Sequence, residues 1–338
     1  MKAVVLHELE GPEALSYEDV QDPEPGSGEI VVRLRNAALN RRDVFVTQGM
    51  YPGAKPDALP IILGSDGSGE VAARGDGAEG PEEGAEVVIN PALYWGDNPK
   101  VPGKEYRILG LPDDGTYAQF VKVPADHVYP KPSHLSHEEA AALPLAALTA
   151  YRALFSRGSL QEGETVLVPG IGGGVATFVV QMAKAAGATV FVTSGSDEKI
   201  ERAKELGADG GVNYNSEDWS KELKNMTGGV DLSIDSIGGE TFNALVQLAK
   251  PGSRIVIFGA TQGPVPKMMT ISIALKNLDV FGTAMGNAQE FGDMLSFYEK
   301  HDLHPVINET YSLEETTAAQ QHMEEGKGIG KIVLEIPA

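Results

Sequence analysis

The chain has 338 residues, of which 42% are hydrophobic and 22% charged, and this length and composition predict a globular protein of two domains. It contains no cysteine, which excludes disulfides, a thiolate nucleophile and any cysteine-ligated zinc or iron–sulfur site. Its 48 acidic residues outnumber the 27 basic ones, and the formal net charge of −21 argues against nucleic acid and membranes as partners. No apolar run approaches the roughly 20 residues of a membrane span, and the first residues lack the pattern of a secretion signal, so a cytoplasmic location is the default expectation.

The first part of the chain has the pattern of short strands separated by turns. Clusters of proline, glycine and glutamate at 23–26 and 75–84 break the apolar runs. The predicted strands are 2–6, 29–37, 69–73 and 86–90. Together they indicate an irregular, β-rich region.

A helical region is predicted from Ser136 onwards. Ser136 and Glu139 have the spacing of a capping box, and an alanine- and leucine-rich run follows as far as Leu154. Pro144 interrupts this run. It is expected to kink the helix or to begin a second one.

Strands and helices alternate in the middle of the chain. The predicted strands are 165–169, 189–193, 230–235 and 254–258, the predicted helices include one that ends at 206 and one over 240–248, and a closing strand is predicted at 332–336. Alternation of this kind indicates a parallel sheet covered by helices.

A glycine-rich turn follows the first of these strands. Gly170, Gly172, Gly173 and Gly174 precede apolar positions spaced three and four residues apart, which indicates a strand, a tight turn and a helix. In that context the glycines allow close approach of a pyrophosphate to the helix N-terminus. Val175 stands where the usual pattern has a third glycine or alanine, and a ligand-free glycine turn is the alternative interpretation.

The end of the next strand distinguishes between two dinucleotides. Binding sites for NAD carry an acidic residue about 20 residues beyond the glycines, whereas a 2′-phosphate favours small donors and a base. Ser194, Ser196 and Lys199 occupy this region, so NADP(H) is the predicted cofactor. Asp197 and Glu198 argue against a phosphate here, and Ser196 can equally be a helix N-cap.

Several motifs in order along the chain resemble the medium-chain dehydrogenase/reductase superfamily, in particular its zinc-free quinone oxidoreductase-like branch. These motifs are Asn40-Arg-Arg-Asp43, Gln48-Gly-Met-Tyr51-Pro, Leu63-Gly-Ser-Asp-Gly-Ser-Gly-Glu-Val71, Leu143-Pro-Leu-Ala-Ala-Leu-Thr149-Ala-Tyr151, the glycine turn, Asp235-Ser-Ile-Gly-Gly239, Gly259-Ala-Thr and Gly330-Lys-Ile-Val. The resemblance covers nearly the whole chain. It implies an α/β protein in which a Rossmann domain with a doubly wound parallel sheet is inserted into a GroES-like, β-barrel-type catalytic domain. The expected boundaries are 1–125 with 270–338 for the catalytic domain and 126–269 for the Rossmann domain.

The same resemblance shows which zinc ligands are missing. Zinc alcohol dehydrogenases carry a cysteine in the segment that corresponds to 40–43 and Gly-His-Glu at the positions of Gly64, Ser65 and Asp66. No metal site is therefore expected. The pairs His134/His137 and His301/His304 have possible ligand spacing, but they are interpreted as surface histidines.

Site residues follow from the resemblance rather than from spacing. It implies that Tyr51 donates a hydrogen bond to the substrate oxygen, with Asn40 and Asp43 shaping the same pocket. The remaining implied contacts are to the cofactor and are carried by Thr149, by Gly259, Ala260, Phe281, Gly282 and Thr283, and by Tyr214 and Lys331. Turn formation by Asn40 and Asp43, packing of the Tyr51 ring and a back-bonded hydroxyl at Thr149 are the structural alternatives.

The function implied is NADPH-dependent, zinc-independent reduction of a quinone, an aldehyde or an activated carbon–carbon double bond, at a cleft between the two domains. The expected partners are a small-molecule substrate and further copies of the chain in a homodimer or homotetramer. Two alternatives stay open. One is a dinucleotide-binding structural or regulatory protein without turnover, and the other is an enoyl-thioester reductase.

Overall fold

The computed structural model describes residues 1–338 and contains eighteen strands and ten α-helices. The strands are β1 (Lys2–Leu6), β2 (Leu15–Asp19), β3 (Glu29–Ala38), β4 (Ile61–Ile62), β5 (Asp66–Arg74), β6 (Glu86–Ile89), β7 (Ala92–Leu93), β8 (Arg107–Ile108), β9 (Phe120–Pro124), β10 (Val128–Pro130), β11 (Thr165–Val168), β12 (Thr189–Ser194), β13 (Gly210–Asn213), β14 (Val230–Asp235), β15 (Ala249–Ile257), β16 (Asp279–Gly282), β17 (Ile307–Ser312) and β18 (Lys331–Glu335). The helices are α1 (Arg41–Thr47), α2 (His137–Ala142), α3 (Pro144–Tyr151), α4 (Gly174–Ala185), α5 (Asp197–Glu205), α6 (Trp219–Thr227), α7 (Gly239–Leu248), α8 (Thr270–Lys276), α9 (Ala288–His301) and α10 (Thr316–Glu325). These elements form two compact units, which we call the first unit (Met1–Leu148 with Gly286–Ala338) and the second unit (Thr149–Met285).

The second unit is built on a six-stranded parallel sheet with the order β13-β12-β11-β14-β15-β16. The central strand β11 is buried on both faces, since Val166, Leu167 and Val168 are at most 1% exposed. Burial on both faces is typical of the apolar strands of parallel sheets. The strand order reverses between β11 and β14, and open α/β sheets bind ligands at such a switch point. The predicted Rossmann fold is confirmed.

The first unit is predominantly antiparallel. Its largest sheet has the order β10-β6-β5-β3-β18-β17, with β9 also paired to β3. The last strand, β18, pairs with β3 through Val333 opposite Ala38 and Leu334 opposite Ala37. A strand from the end of the chain therefore lies beside the strand that leads into α1.

The division into two units differs from the expected boundaries. Residues 126–148 belong to the first unit, where Ala142 of α2 packs with Ala38 and Val333. Residues 270–285 belong to the second unit, because β16 is the sixth strand of the parallel sheet. Both differences arise because local sequence does not reveal which sheet covers a helix or pairs with an edge strand.

Two predictions about helix ends are confirmed. The Ser136 side chain accepts a hydrogen bond from the Glu139 N–H, and the Glu139 carboxylate accepts one from the Ser136 N–H, which is a capping box. Pro144 is the first residue of α3, a position where the missing N–H costs nothing. No helix in the chain combines the length and the apolar character needed to cross a membrane.

Candidate functional site

The glycine turn lies between β11 and α4, at the switch point of the parallel sheet. Gly170 has a φ of 71°, and a Cβ at this position would lie 2.5 Å from Ile237 Cδ1. Both the backbone angle and the packing therefore require glycine. Gly172 also has a positive φ, of 150°.

The N-terminus of α4 is not closed by a side chain. Gly173 is the N-cap with φ −69°, no side chain accepts from the first turn, and the space where a Cβ would stand is open. The first N–H groups of a helix carry a partial positive charge that suits a phosphate. Val175 is only half-buried, and the small buried residue in this turn is Ala176, so the unusual third position does not disturb the packing against the sheet.

The residues proposed to distinguish NADP(H) from NAD(H) lie together after β12. Ser194 is 4% exposed, and its Oγ accepts from the Ser196 N–H at 3.1 Å. Ser196 is also the N-cap of α5, and its Oγ accepts a hydrogen bond from the backbone N–H of Lys199 at 3.4 Å. The Tyr214 ring packs on Gly195, since a Cβ added to Gly195 would lie 2.8 Å from the hydroxyl oxygen of Tyr214.

The charged side chains beside this group are also positioned. Asp197, whose carboxylate argues against a phosphate, is held by Asn213 Nδ2 at 2.8 Å. The pKa of Lys199 lies below its ordinary value, and the largest cause of this shift is burial of its ammonium group. Asn213 was missed by sequence reasoning, because an asparagine at a strand end is typical of any turn.

The other proposed cofactor contacts follow the last two strands of the same sheet. Gly259 and Ala260 come after β15, Phe281 and Gly282 end β16, and Thr283 follows directly after it. The Thr283 N–H donates to the Ile257 carbonyl at 2.9 Å, while Thr283 Oγ1 is buried without a partner. Arg157, also missed, donates from Nε to the Gly282 carbonyl at 3.2 Å and lies 5.0 Å over the Phe281 ring. Thr149 lies in α3 and is 5% exposed.

Lys331, which the resemblance also implies as a cofactor contact, has its three ammonium donors occupied by other residues of the chain. It begins β18 in the first unit and is 3% exposed. Its ammonium group donates to the Leu39 carbonyl (2.7 Å), to Asn40 Oδ1 (2.8 Å) and to Asp66 Oδ2 (2.9 Å). An ammonium group has three donors, so none is left for a phosphate.

Asn40 and Asp43 lie in the first unit, close to Lys331 and Asp66, and are heavily hydrogen bonded. Asn40 Nδ2 donates to Asp66 Oδ2 at 2.9 Å, and the Asn40 N–H donates to Asp43 Oδ2 at 2.8 Å at the start of α1. Asp43 Oδ2 also accepts from the Tyr117 hydroxyl at 2.8 Å, while its Oδ1 has no hydrogen-bond partner. Burial raises the pKa of Asp43 and raises that of Tyr117 well above its ordinary value. These bonds shape the local backbone where α1 begins, which is consistent with the alternative interpretation of Asn40 and Asp43 as turn-forming residues.

Arg42 is the functional candidate that sequence reasoning missed. It is 8% exposed, and its Nη1 donates to Ser65 Oγ at 2.7 Å and to the Leu109 carbonyl at 2.9 Å. Its guanidinium lies 4.8 Å over the ring of Tyr51, which is half-buried and whose hydroxyl makes no hydrogen bond within the chain. Two consecutive arginines give no pattern that separates buried Arg42 from its exposed neighbour Arg41. Only the resemblance pointed to this part of α1, because it matched the segment 40–43 with one that carries a cysteine in zinc alcohol dehydrogenases.

The positions that correspond to zinc ligands do not fit a zinc ion. Ser65 Oγ donates to the Leu109 carbonyl at 2.8 Å and accepts from the Arg42 cation. Asp66 is fully buried and ion-paired with Lys331. Zinc needs three or four thiolate, imidazole or carboxylate ligands, whereas one hydroxyl and one carboxylate remain here, both already hydrogen bonded to cationic side chains.

A separate histidine group lies at the surface of the first unit. This group consists of His134, Asp302 and His304, whose potential metal-ligating atoms, one from each residue, lie within 4.8 Å of one another. His134 is half-buried, and the other two residues are exposed. His304 Nδ1 lies 2.7 Å from Glu139 Oε1, and His134 Nε2 lies 3.0 Å from the Leu303 carbonyl. The group therefore joins one histidine from each of the two pairs noted in the sequence.

Comparison with known proteins gives matches along the whole chain. Residues 26–133 match the family described as the alcohol dehydrogenase GroES-like domain, and residues 174–300 match the family described as zinc-binding dehydrogenase. A zinc-type alcohol dehydrogenase-like protein of Schizosaccharomyces pombe is 36% identical, with 99% of each chain covered. An acryloyl-coenzyme A reductase of Metallosphaera sedula is 31% identical, again with 99% of each chain covered. The crystal structure of an NAD-dependent alcohol dehydrogenase is 39% identical, with a TM-score of 0.94 and complete coverage of both chains.

Proposed function

Since the chain belongs to the medium-chain dehydrogenase/reductase superfamily, a family of alcohol dehydrogenase-like oxidoreductases, we propose that it is a zinc-independent, NADPH-dependent reductase. Its substrate is a quinone, an aldehyde or a compound with an activated carbon–carbon double bond. The full-length similarity to an acryloyl-coenzyme A reductase supports the inclusion of activated double bonds.

The observation that carries the proposal is that Ser65 and Asp66 are hydrogen bonded to buried cationic side chains. Both face cationic side chains of the protein, Arg42 and Lys331, at the positions where zinc enzymes of the superfamily have ligands. Substrate activation then falls to hydrogen-bond donors of the first unit, among which we place the Tyr51 hydroxyl. Asn40, Asp43 and Lys331 position α1 and β18 around these donors.

The proposed cofactor rests on residues of the second unit. The residues present fit a dinucleotide, because the N-terminus of α4 is open at Gly173 and the glycines of the turn provide no side chain that would collide with a pyrophosphate. When bound, the nicotinamide ring supplies the hydride. Ser194 takes the place of the acidic residue that would bond a ribose 2′-hydroxyl, which supports NADP(H) over NAD(H), and Thr149, Tyr214 and Lys199 are the further proposed contacts.

The substrate proposal is tested with purified protein, NADPH and a panel of quinones, aldehydes, enones and enoyl thioesters. Oxidation of NADPH with at least one of the first three classes is expected, with no stoichiometric zinc by elemental analysis. Activity confined to enoyl thioesters would identify the narrower reductase. Tight NADPH binding without any turnover would make the protein a dinucleotide-binding component instead.

The cofactor proposal has its own measurement. The dissociation constants of NADPH and NADH are compared for the natural sequence and for Ser194→Asp, which places a carboxylate where the phosphate is proposed to bind. The preference for NADPH should fall by at least about tenfold in the variant, which corresponds to about 1.4 kcal/mol. Tighter binding of NADH by the natural sequence would overturn the proposal.

A further inference from the structure

One edge of the Arg42 guanidinium is unused. Nη1 carries the bonds to Ser65 and the Leu109 carbonyl, while Nε and Nη2 are buried and have no hydrogen-bond partner. These two nitrogens lie on the same side of the planar group and point their N–H bonds in parallel. The Tyr51 ring covers the face of the guanidinium at 4.8 Å, so it does not occupy this edge.

Leaving such donors unpaired is costly. A buried polar group without a partner costs about 1–3 kcal/mol, and more when it is charged. The structure nevertheless holds Arg42 in place through two acceptors and an aromatic stack. An arrangement that fixes a cation and spares two adjacent donors is suited to an oxygen supplied by a ligand.

The charges around Arg42 indicate what kind of oxygen this is. Arg42 and Lys331 are the two cations of this buried region, and Asp43 and Asp66 are the two carboxylates, with Arg42 Nη1 3.7 Å from Asp43 Oδ1 and Lys331 Nζ 2.9 Å from Asp66 Oδ2. The formal charges balance without a ligand. A carboxylate would add an uncompensated buried charge, whereas a neutral carbonyl oxygen would not.

We propose that Arg42 is a catalytic residue that donates hydrogen bonds from Nε and Nη2 to the carbonyl oxygen of a neutral, conjugated carbonyl substrate. This inference rests on the proposed function and names its substrate class more narrowly. Tyr51, half-buried and stacked on the guanidinium, carries the hydroxyl proposed above as a further donor to the same oxygen.

The chemistry balances with the reductant already named. Hydride addition to the β-carbon or the carbonyl carbon breaks one π bond and moves its electron pair onto oxygen, giving an enolate or alkoxide, while NADPH becomes NADP⁺. The two N–H groups of Arg42 stabilise this developing negative charge, which is larger in the transition state than in the substrate. A proton from water then completes the reduced product.

The test uses a chromophoric enal, para-dimethylaminocinnamaldehyde, whose absorption moves to longer wavelength when its carbonyl oxygen is polarised. Added to the full-length protein without cofactor, it should bind with a red-shifted spectrum. Arg42→Lys keeps the charge but cannot present two parallel donors, so the shift should fall by at least half. Arg107→Lys is the matched control, because Arg107 also lies over a tyrosine ring, that of Tyr94, at 4.5 Å. An unshifted spectrum, failure of the enal to bind, or an equal shift in Arg42→Lys would overturn the inference.

A second variant guards against loss of folding in Arg42→Lys. Ser65→Ala removes one acceptor that orients Nη1; it should reduce the spectral shift and lower kcat with enones by about threefold to tenfold, on the scale of one ordinary hydrogen bond. In both variants kcat should fall more than KM rises. If both variants reduce enones as fast as the natural protein, Arg42 has no catalytic role, but the proposed reductase function stands. If the enal is polarised but no substrate is turned over, the proposed reductase function fails, but the interaction of Arg42 with a carbonyl oxygen stands.

Discussion

Arg42 and Lys331 are buried cations of the same region that use their donors differently. Lys331 saturates all three donors within the chain, so its contribution is to hold β18, α1 and Asp66 together. Arg42 retains two donors, and Tyr51, whose ring lies over it, is only half-buried. The residues able to act on a substrate are thus those that the fold has not already used.

Replacement of Tyr51 by phenylalanine tests one of these residues. The ring and its stack on Arg42 are kept, and only the hydroxyl is lost, so we expect kcat to fall by about tenfold, the scale of one hydrogen bond made in the transition state. The dissociation constant of NADPH should not change. Tyr94→Phe, which alters the equivalent tyrosine under Arg107, should be silent in both assays. An unchanged rate in Tyr51→Phe would remove the hydroxyl from the mechanism.

Asp43 gives a prediction about pH. Burial raises its pKa above the ordinary value in the folded protein, so the native state binds the proton more tightly than the unfolded chain does. The stability from this group is fully present below the unfolded pKa and is lost as the pH rises through the native pKa. The natural protein should therefore lose stability relative to Asp43→Asn as the pH is raised from below 3.8, the ordinary value, towards neutrality.

Urea unfolding midpoints across a series from acid to neutral pH provide the measurement. The exposed Asp57 supplies a matched control in Asp57→Asn, which removes one carboxylate outside the cluster. If the curves of the natural protein and Asp43→Asn run parallel, the raised pKa of Asp43 is not coupled to folding. Midpoints are compared because a chain of two units need not unfold in one step.

At the scale of elements, the turn before α4 contains one glycine that the fold requires, Gly170, and one that only dinucleotide binding is proposed to require, Gly173. At Gly170 any side chain would collide with Ile237, whereas at Gly173 the φ of −69° and the open space accept a Cβ. Gly173→Ala should therefore keep the fold intact while weakening NADPH binding by about tenfold, or about 1.4 kcal/mol. The added methyl group occupies the space proposed for the pyrophosphate.

The control is another glycine with room for a methyl group. Gly292 lies within α9, and a Cβ at this position would have Tyr129 Cε1 as its nearest neighbour, at 3.8 Å, so Gly292→Ala should keep the fold intact and leave NADPH binding unchanged. Equal NADPH affinity in both variants would show that the cofactor does not approach the first turn of α4.

Most of the second unit could be predicted from sequence because its signals are local. The bounds of β14 are those predicted, Val230–Asp235, and the glycine turn and the strand beginning at Thr165 follow directly from apolar runs and glycines. The site of the first unit depends on contacts between distant segments. Lys331 meets Asn40 and Asp66 only because β18 pairs with β3, and Arg42 is buried only because Ser65 and Leu109 fold over it. No periodicity in the sequence encodes either contact.

At the scale of the whole molecule, the dominant feature is the excess of acid. Even if every one of the 27 basic residues were paired, 21 acidic residues would remain without a basic partner. Many of the pairs that do form involve exposed side chains, such as Lys2 with Asp19, and pairs of this kind contribute about 0–1 kcal/mol. Repulsion among the unpaired carboxylates should therefore exceed the attraction lost when salt screens the pairs.

We expect the melting temperature to rise with sodium chloride. The Debye length falls from about 30 Å at 0.01 M salt to about 8 Å at 0.15 M, which screens repulsion between charges spread over the surface. Thermal unfolding at neutral pH over this range should show an increase of a few degrees. Potassium chloride at matched ionic strength is the control, since screening does not depend on which monovalent cation is present. A melting temperature that falls as salt is added would mean that ion pairs, rather than the surplus of 21 negative charges, dominate the electrostatic free energy of folding.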